Sequence, residues 1–139
     1  MEIRKARQAD YIHIVRSIQR KRIDYITPAH VRQDIENERQ FVMVDGVRVI
    51  AILSLVYDQE HGYYAMKRLL IPNRKNCGKG YAQMMLRFVS AQAQGKVGCT
   101  PWADNLAMRH TLEKLGFSLE YIFSEKWCFY SKKPLTGSA

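Results

Sequence analysis

The chain has 139 residues, 47% of them hydrophobic, with a net charge of +9 at neutral pH. That length suits one domain with a single core and leaves little room for two. No apolar run is long enough to cross a bilayer, and the N-terminal MEIRKARQAD lacks the apolar core of a secretion signal. The cysteines, Cys77, Cys99 and Cys128, are odd in number and widely spaced, which points away from a zinc site. A cytoplasmic protein with reduced thiols, no metal and no membrane partner is expected. The positive surface suits anions: nucleic acid, acidic proteins or a polyphosphate cofactor.

In chain order, Glu2 to Ala6 alternates weakly and predicts a short strand. Asp10 is placed to cap a helix in which Ile14, Val15 and Ile18 recur at helical spacing, to about Arg22. Thr27-Pro28 is a second helix start, a capping hydroxyl followed by a proline at the first helical position, with Val31 and Ile35 on one face. Phe41 to Val44, then Asp45-Gly46, then VRVIAILSLVY predicts a hairpin whose second strand is buried on both faces. Asp58 to Gly62 reads as a polar turn, and Tyr63 to Ile71 as a strand ended by Pro72.

KNCGKGYA follows, residues 75 to 82, and opens a helix over Tyr81 to Gln94 that Gly95 is placed to end in the left-handed conformation. Val97 to Thr100 predicts a short strand. Asp104 or Asn105 caps another helix with Ala107, Met108, Leu112 and Leu115 inward, stopped by Gly116. Trp127 to Ser131 is the last strand, paired with Tyr121 to Phe123. Met84, Met85 and Met108 read as core packing at helical spacing. A meander followed by a crossover unit is an α+β arrangement. Residues 1–133 are expected to form the domain and 134–139 a flexible tail.

The glycine loop lies between a strand and a helix. Glycines let backbone amides approach a ligand, and a helix start offers free N–H groups of partial positive charge, so the geometry suits phosphate. Lys79 adds a full charge, with Arg74 and Lys75 upstream. The loop could equally be a turn that only re-aims the chain. Neither GxxxxGK[ST] nor GxGxxG is present, which sets aside the P-loop and the dinucleotide fingerprint.

CGKGYA resembles the acyl-CoA loop, Q/R-x-x-G-x-G/A, of the GNAT superfamily of N-acetyltransferases. RLLIPNRKNCGKGYAQMMLRF has the order of strand, proline, loop and helix seen there. DNLAMRHTLEKLGF is similar to that superfamily's second signature, an Asn followed by a helix ending in EKLGF. IRKARQAD and FVMVDGVRVIAILSL extend the resemblance over about residues 2 to 131. It implies a single domain with a central mixed, mostly antiparallel sheet and helices on both faces. It also implies an acetyl-CoA-dependent transfer of an acetyl group to a primary amine on a small molecule, a peptide N-terminus or a lysine, by direct attack in a ternary complex.

On that resemblance, Leu69, Leu70 and Ile71 belong to a splayed strand whose amides hold the pantetheine arm and the developing oxyanion. Lys75, Cys77, Gly78, Lys79, Gly80, Tyr81 and Ala82 would hold the pyrophosphate, and Asn105 would reach the pantetheine. The pattern is broken at Cys77, where Gln or Arg is usual. It is broken again at Leu112, where many members carry a tyrosine that protonates the leaving thiolate. Glu60 and His61 are candidates to take the amine's proton, and Tyr130 and Tyr63 to donate one. A nucleophilic role for Cys77 lacks a nearby His/Asp partner. The alternatives are a non-catalytic CoA-sensing domain and, on charge alone, a nucleic-acid module. No zinc-finger, RNP-like or recognition-helix pattern supports the latter, so nucleic acid is not expected as a direct ligand. A homodimer through the final strands is left open.

Overall fold

The computed structural model describes residues 1–133; the tail expected over 134–139 lies outside the described residues. Seven strands form one sheet: β1 (Glu2–Lys5), β2 (Gln40–Asp45), β3 (Arg48–Asp58), β4 (Tyr63–Leu70), β5 (Val97–Cys99), β6 (Ser118–Phe123) and β7 (Trp127–Lys132). Their spatial order is β1-β2-β3-β4-β5-β7-β6, antiparallel throughout except for β4 beside β5. That mixed sheet with helices on both faces is the expected α+β class. The parallel pair needs a crossover, and α3 (Tyr81–Gln92) supplies it.

Period-two alternation sorts the buried residues to two faces. On one face α1 (Tyr11–Arg20) and α2 (Pro28–Glu36) set Ile14, Val15, Ile18, Val31 and Ile35 against Val42, Val49 and Ile52. On the other, α3 and α4 (Leu106–Lys114) set Met85, Leu86, Val89 and Leu112 against Phe41, Leu53 and Met66. The near-continuous apolar run of β3 is the strand covered on both faces. β6 forms the sheet edge, and all six of its residues are exposed.

Local chemistry explains most element boundaries. The Thr27 hydroxyl accepts from the His30 N–H at 3.2 Å, and the His30 ring nitrogen accepts from the Thr27 N–H, so cap and third residue satisfy each other. Asp10 works in the opposite sense from the expected cap. Gln8–Asp10 is a 3-10 turn, which aims the Asp10 carboxylate back at the Arg7 N–H (2.7 Å) and the Arg4 guanidinium (2.6 Å). Gly95 also departs from expectation: α3 ends at an extended Ala93, and Gly95 is not in the left-handed region. Ala107 and Met84 are exposed rather than inward, because only one stripe of each short helix meets the sheet.

The β3–β4 ladder is interrupted by a β-bulge. Ile52 pairs with Leu70 and Ser54 with Lys67, so Leu53 alone faces both Arg68 and Leu69. Arg68 takes a left-handed φ of +57°, unusual for a side-chain-bearing residue. A buried polar cluster holds it there. Arg68 Nη2 donates to Asp34 Oδ2 of α2 at 2.5 Å, and the Ser54 hydroxyl donates to the same oxygen at 2.7 Å. Asp34 is 3% exposed, so its charge depends on those partners.

Two stability predictions follow from these ties. Asp34→Ala strips a buried pair and is expected to cost roughly 3–5 kcal/mol in urea unfolding, with part regained in an Asp34→Asn/Arg68→Gly double variant; a loss below about 1 kcal/mol would show that the cluster does not hold the bulge. The Asp10 carboxyl is held below its ordinary value, first by the Arg4 hydrogen bond. A depressed folded value gives stability that is present above the unfolded carboxylate range and lost as pH falls through the folded one. Asp10→Asn is therefore expected to cost about 1–3 kcal/mol at pH 7 and much less at pH 2–3. Equal losses at both pH values would overturn the assignment.

Candidate functional site

The pairing of β4 to β5 covers only Tyr64 with Val97 and Ala65 with Gly98. From Met66 onward the β5-facing edge of β4 has no strand beside it. A cleft of about 550 Å³ opens there, lined by Met66 to Leu69 on one side and by Gly98 to Trp102 on the other. Asn105 and Met108 at the start of α4, and Tyr25 from the segment joining α1 to α2, close its ends. Gly98 is needed at the apex: a Cβ there would stand 2.6 Å from the Tyr63 ring and 2.7 Å from that of Phe129.

The faces of the cleft differ in character. Met66 belongs to the α3–α4 core, so by alternation Tyr63, Ala65 and Lys67 face the α1–α2 side. On that side, beyond the cover of those helices, Tyr63 meets Phe129 edge-on at 5.0 Å and Trp102 stacks on Trp127 at 3.9 Å. Tyr121 stacks in turn on Phe129. The result is an aromatic wall.

At the C-terminal end of β4 the chain turns through Arg74–Asn76 into the glycine loop. The Asn73 side chain accepts from the Lys75 N–H at 3.0 Å. Gly78 and Gly80 have φ of +78° and +81°, and Gly80 is the left-handed N-cap of α3. A Cβ at Gly80 would meet nothing within 4 Å, so glycine serves conformation here rather than space. No side chain caps α3. The Met84 N–H bonds the Gly80 carbonyl at 3.1 Å, which leaves the amides of Tyr81, Ala82 and Gln83 without an acceptor inside the helix. Together with Lys79 and Lys75 this is an anion cradle.

A second hollow, of about 570 Å³, lies between the C-terminal half of α1, the β2–β3 hairpin and this loop. Arg16, Arg20, Lys21, Arg48, Lys75 and Lys79 line it with no acidic side chain among them. Much of the protein's positive charge is thus gathered beside the cradle.

Of the residues singled out from sequence, Leu69 and Asn105 line the cleft. Leu70 and Ile71 continue the same edge but turn their side chains into the two cores. Asn105 caps α4 by accepting from the Met108 N–H at 3.2 Å, and its amide NH2 has no protein partner among the described residues. Cys77 is exposed at the end of the 3-10 turn. Of the expected proton carriers, Tyr63 lines the cleft, where it packs edge-on against Phe129 and burial raises its phenol above the ordinary value, while Glu60, His61 and Tyr130 lie outside it. Glu60 and His61 lie on the exposed β3–β4 turn, where Asp58 accepts from the His61 N–H at 3.0 Å and pairs with its ring at 3.0 Å. The turn's own hydrogen bonds fix them there. Tyr130 is fully buried on the opposite face; its hydroxyl donates to Glu113 (2.9 Å) and accepts from Arg109 (3.0 Å). Burial raises that phenol above its ordinary value. Leu112 is 0% exposed and belongs to the core.

Sequence reasoning missed Lys67, Arg68, Cys99, Thr100 and the two tryptophans as cleft residues. Spacing carried no sign of the bulge, because its left-handed residue is not a glycine. Burial pushes the Cys99 thiol up to about 11, so it stays neutral near pH 7. Among the described residues there is no cluster of metal-binding side chains and no helix long and apolar enough to cross a membrane.

No family model and no curated protein matches the sequence. Solved structures do. A GNAT-family acetyltransferase from Bacillus cereus ATCC 10987 superposes with a TM-score of 0.81 at 16% identity, covering 96% of this chain and 97% of its own. A ribosomal-protein-S5-alanine acetyltransferase from Vibrio fischeri gives 0.74 at 16% identity over 99% and 94%. A spermidine N-acetyltransferase chimera containing Vibrio cholerae sequence gives 0.67 at 15% over 96% of both chains. Over nearly its whole length, with the splayed strand pair and the uncapped helix below it, the chain has the fold of the GNAT acetyltransferases.

Proposed function

We propose that the protein transfers an acetyl group from acetyl-CoA to a primary amine by direct attack in a ternary complex. One observation carries this reading: β4 loses its β5 neighbour after Ala65, and the same strand leads directly into a left-handed glycine cap with free helix amides. An unpaired strand edge can bind an extended, amide-bearing arm, and a cradle at its end can bind a diphosphate. Acetyl-CoA has both parts in that order. It supplies a thioester carbonyl already activated towards attack.

The protein's own contribution is placement and electrostatics. The amides of Tyr81 to Gln83, with Lys75 and Lys79, hold the diphosphate. The edge from Met66 to Ile71 and the Asn105 amide align the arm. The bulge at Arg68–Leu69 re-aims backbone N–H groups into the cleft, where one can stabilise the oxyanion. The amine nitrogen bonds to the carbonyl carbon, the C–S bond breaks, and its electron pair leaves on sulfur. The thiolate and the lost ammonium proton recombine as a thiol. Orientation of the reactants provides much of the acceleration. Two of the similar structures carry names that state acceptors, an alanine of ribosomal protein S5 and spermidine; this supports an amine acceptor without choosing one.

A second reading, a CoA-binding domain without turnover, is favoured by one feature. Leu112 is sealed in the core, and among the described residues no carboxylate or imidazole lines the cleft. Calorimetric titration of acetyl-CoA, with ATP and NADPH as controls, tests what the readings share. Selective micromolar binding is expected. Gly80→Asp puts a negative charge and a side chain at the cradle and is expected to weaken binding at least about tenfold; unchanged affinity would remove the diphosphate from this loop. Release of free CoA in the presence of an amine then separates enzyme from sensor.

A further inference from the structure

Resting on the acetyltransferase reading, we infer that the acceptor is an α-amine flanked by an aromatic or large apolar side chain and a carboxylate, and not a polyamine or a lysine ε-amine. The juxtaposition behind this is an aromatic wall beside one unpaired lysine in a cleft without acidic groups.

The wall comes first. Tyr25, Tyr63, Trp102 and Trp127 line the α1–α2 side of the cleft, and Trp102 is 50% exposed although it stacks on Trp127. Exposed rings in a concave setting gain by covering an apolar body. Ring faces also attract an ammonium, so it is the charge of the cleft that separates an apolar acceptor from a polycation.

Charge is the second argument. Lys67 and Arg68 are the charged side chains of the lining, and no Asp or Glu is among them. Arg68 is neutralised by Asp34, while Lys67 has no ion-pair partner among the described residues. A polyamine placed here would bring a second ammonium next to Lys67, with no carboxylate to receive it. A carboxylate on the acceptor meets an unpaired cation instead.

Proton handling is the third. Direct attack needs the neutral amine, and among the described residues the cleft offers no carboxylate or imidazole to deprotonate it. Cys99, the lining thiol, is held protonated by burial. A peptide α-amine titrates at about 7.7–8.0 and a lysine at about 10.4, so near pH 8 the former is already substantially neutral and the latter is not. The groups present therefore suit an acceptor that needs least help in losing its proton. Acetylation then follows the balanced exchange given above, R–NH2 and acetyl-CoA giving the N-acetyl amide and CoA thiol.

An aromatic side chain and a carboxylate beside an α-amine occur both in a free amino acid, whose own carboxylate makes the amine more basic, and at a peptide N-terminus followed by an acidic residue, which the proton argument favours. Thiol release from acetyl-CoA is measured with phenylalanine, the dipeptide Phe-Glu, phenylalaninamide, spermidine and Nα-acetyl-lysine. The proposal expects phenylalanine or Phe-Glu to exceed phenylalaninamide at least tenfold in kcat/KM, with spermidine and acetyl-lysine lowest. The better of the first two identifies the source. Lys67→Glu is expected to raise KM for the acid acceptor at least tenfold and to lower it for spermidine. Preference for spermidine or acetyl-lysine, or an unchanged acid-to-amide ratio in Lys67→Glu, overturns the inference. Absence of acetyl-CoA binding by calorimetry means the parent reading has failed. Tight acetyl-CoA binding with no acceptor turned over means that this inference has failed while the cofactor site stands.

Discussion

Everything distinctive about the molecule depends on β4 and β5 staying together for two residue pairs and then parting. A parallel pair is held only by its ladder and by the crossover that joins its ends. Here the crossover is α3, packed through Met85, Leu86 and Val89, so the strands cannot drift apart as bodies. They can only diverge locally. Gly98 brings Tyr63 and Phe129 into contact at the apex, and the bulge at Arg68 adds twist to β4 beyond it. The cleft is thus bounded by two rigid ladders and is no flexible gap. A binding site on strand edges inherits their precision, which a loop site would lack.

The bulge has an energetic consequence for the rest of the domain. Arginine in the left-handed region is strained, and Arg68 Nε is buried without a partner among the described residues. Asp34 of α2 offsets this by accepting from the guanidinium, and Ser54 of β3 supports it by donating to the same Asp34 oxygen. That choice also fixes the electrostatics of the cleft. Arg68 is neutralised, Lys67 is left as the unpaired cation, and the other cations accumulate at the foot of the sheet, around the basic hollow and the glycine loop. One end of the site thus attracts phosphate while the other is nearly neutral and aromatic. A donor with a highly charged tail and an uncharged acyl end fits that gradient in one direction only.

The sequence disclosed the order of elements because each is signalled locally: Thr27-Pro28 by capping, Asp45-Gly46 by turn chemistry, β3 by an unbroken apolar run, and the anion loop by Gly78 and Gly80 before a helical stripe. The cradle was legible for the same reason, since adjacent residues build it. The rest of the cleft was not. Lys67 and Arg68 read as ordinary strand positions, and Trp102 and Trp127 meet across 24 intervening positions of chain. Their proximity follows from β7 lying between β5 and β6, an order that local pattern does not encode. Glu60, His61 and Tyr130 were chosen for chemistry at plausible places in the chain. Tertiary structure put the first two on an exposed turn and the third under α4.

The fate of Tyr130 bears on how a proton could travel. Its hydroxyl completes a chain from Arg109 to Glu113 on the α4 side of β7, while Phe129, the next residue, faces the aromatic wall. Strand alternation therefore separates the polar network from the acceptor by the thickness of the sheet. Moving Tyr130 across would also move Cys128 and Phe129 and empty two packed layers. On the proposed acetyl transfer, proton exchange would be left to solvent at the mouth of the cleft, and the burden of reactivity would fall on the acceptor's own basicity. Leu112, at the position where the sequence resemblance leads one to expect a tyrosine, packs in the core, which adds stability where a hydroxyl would have added chemistry.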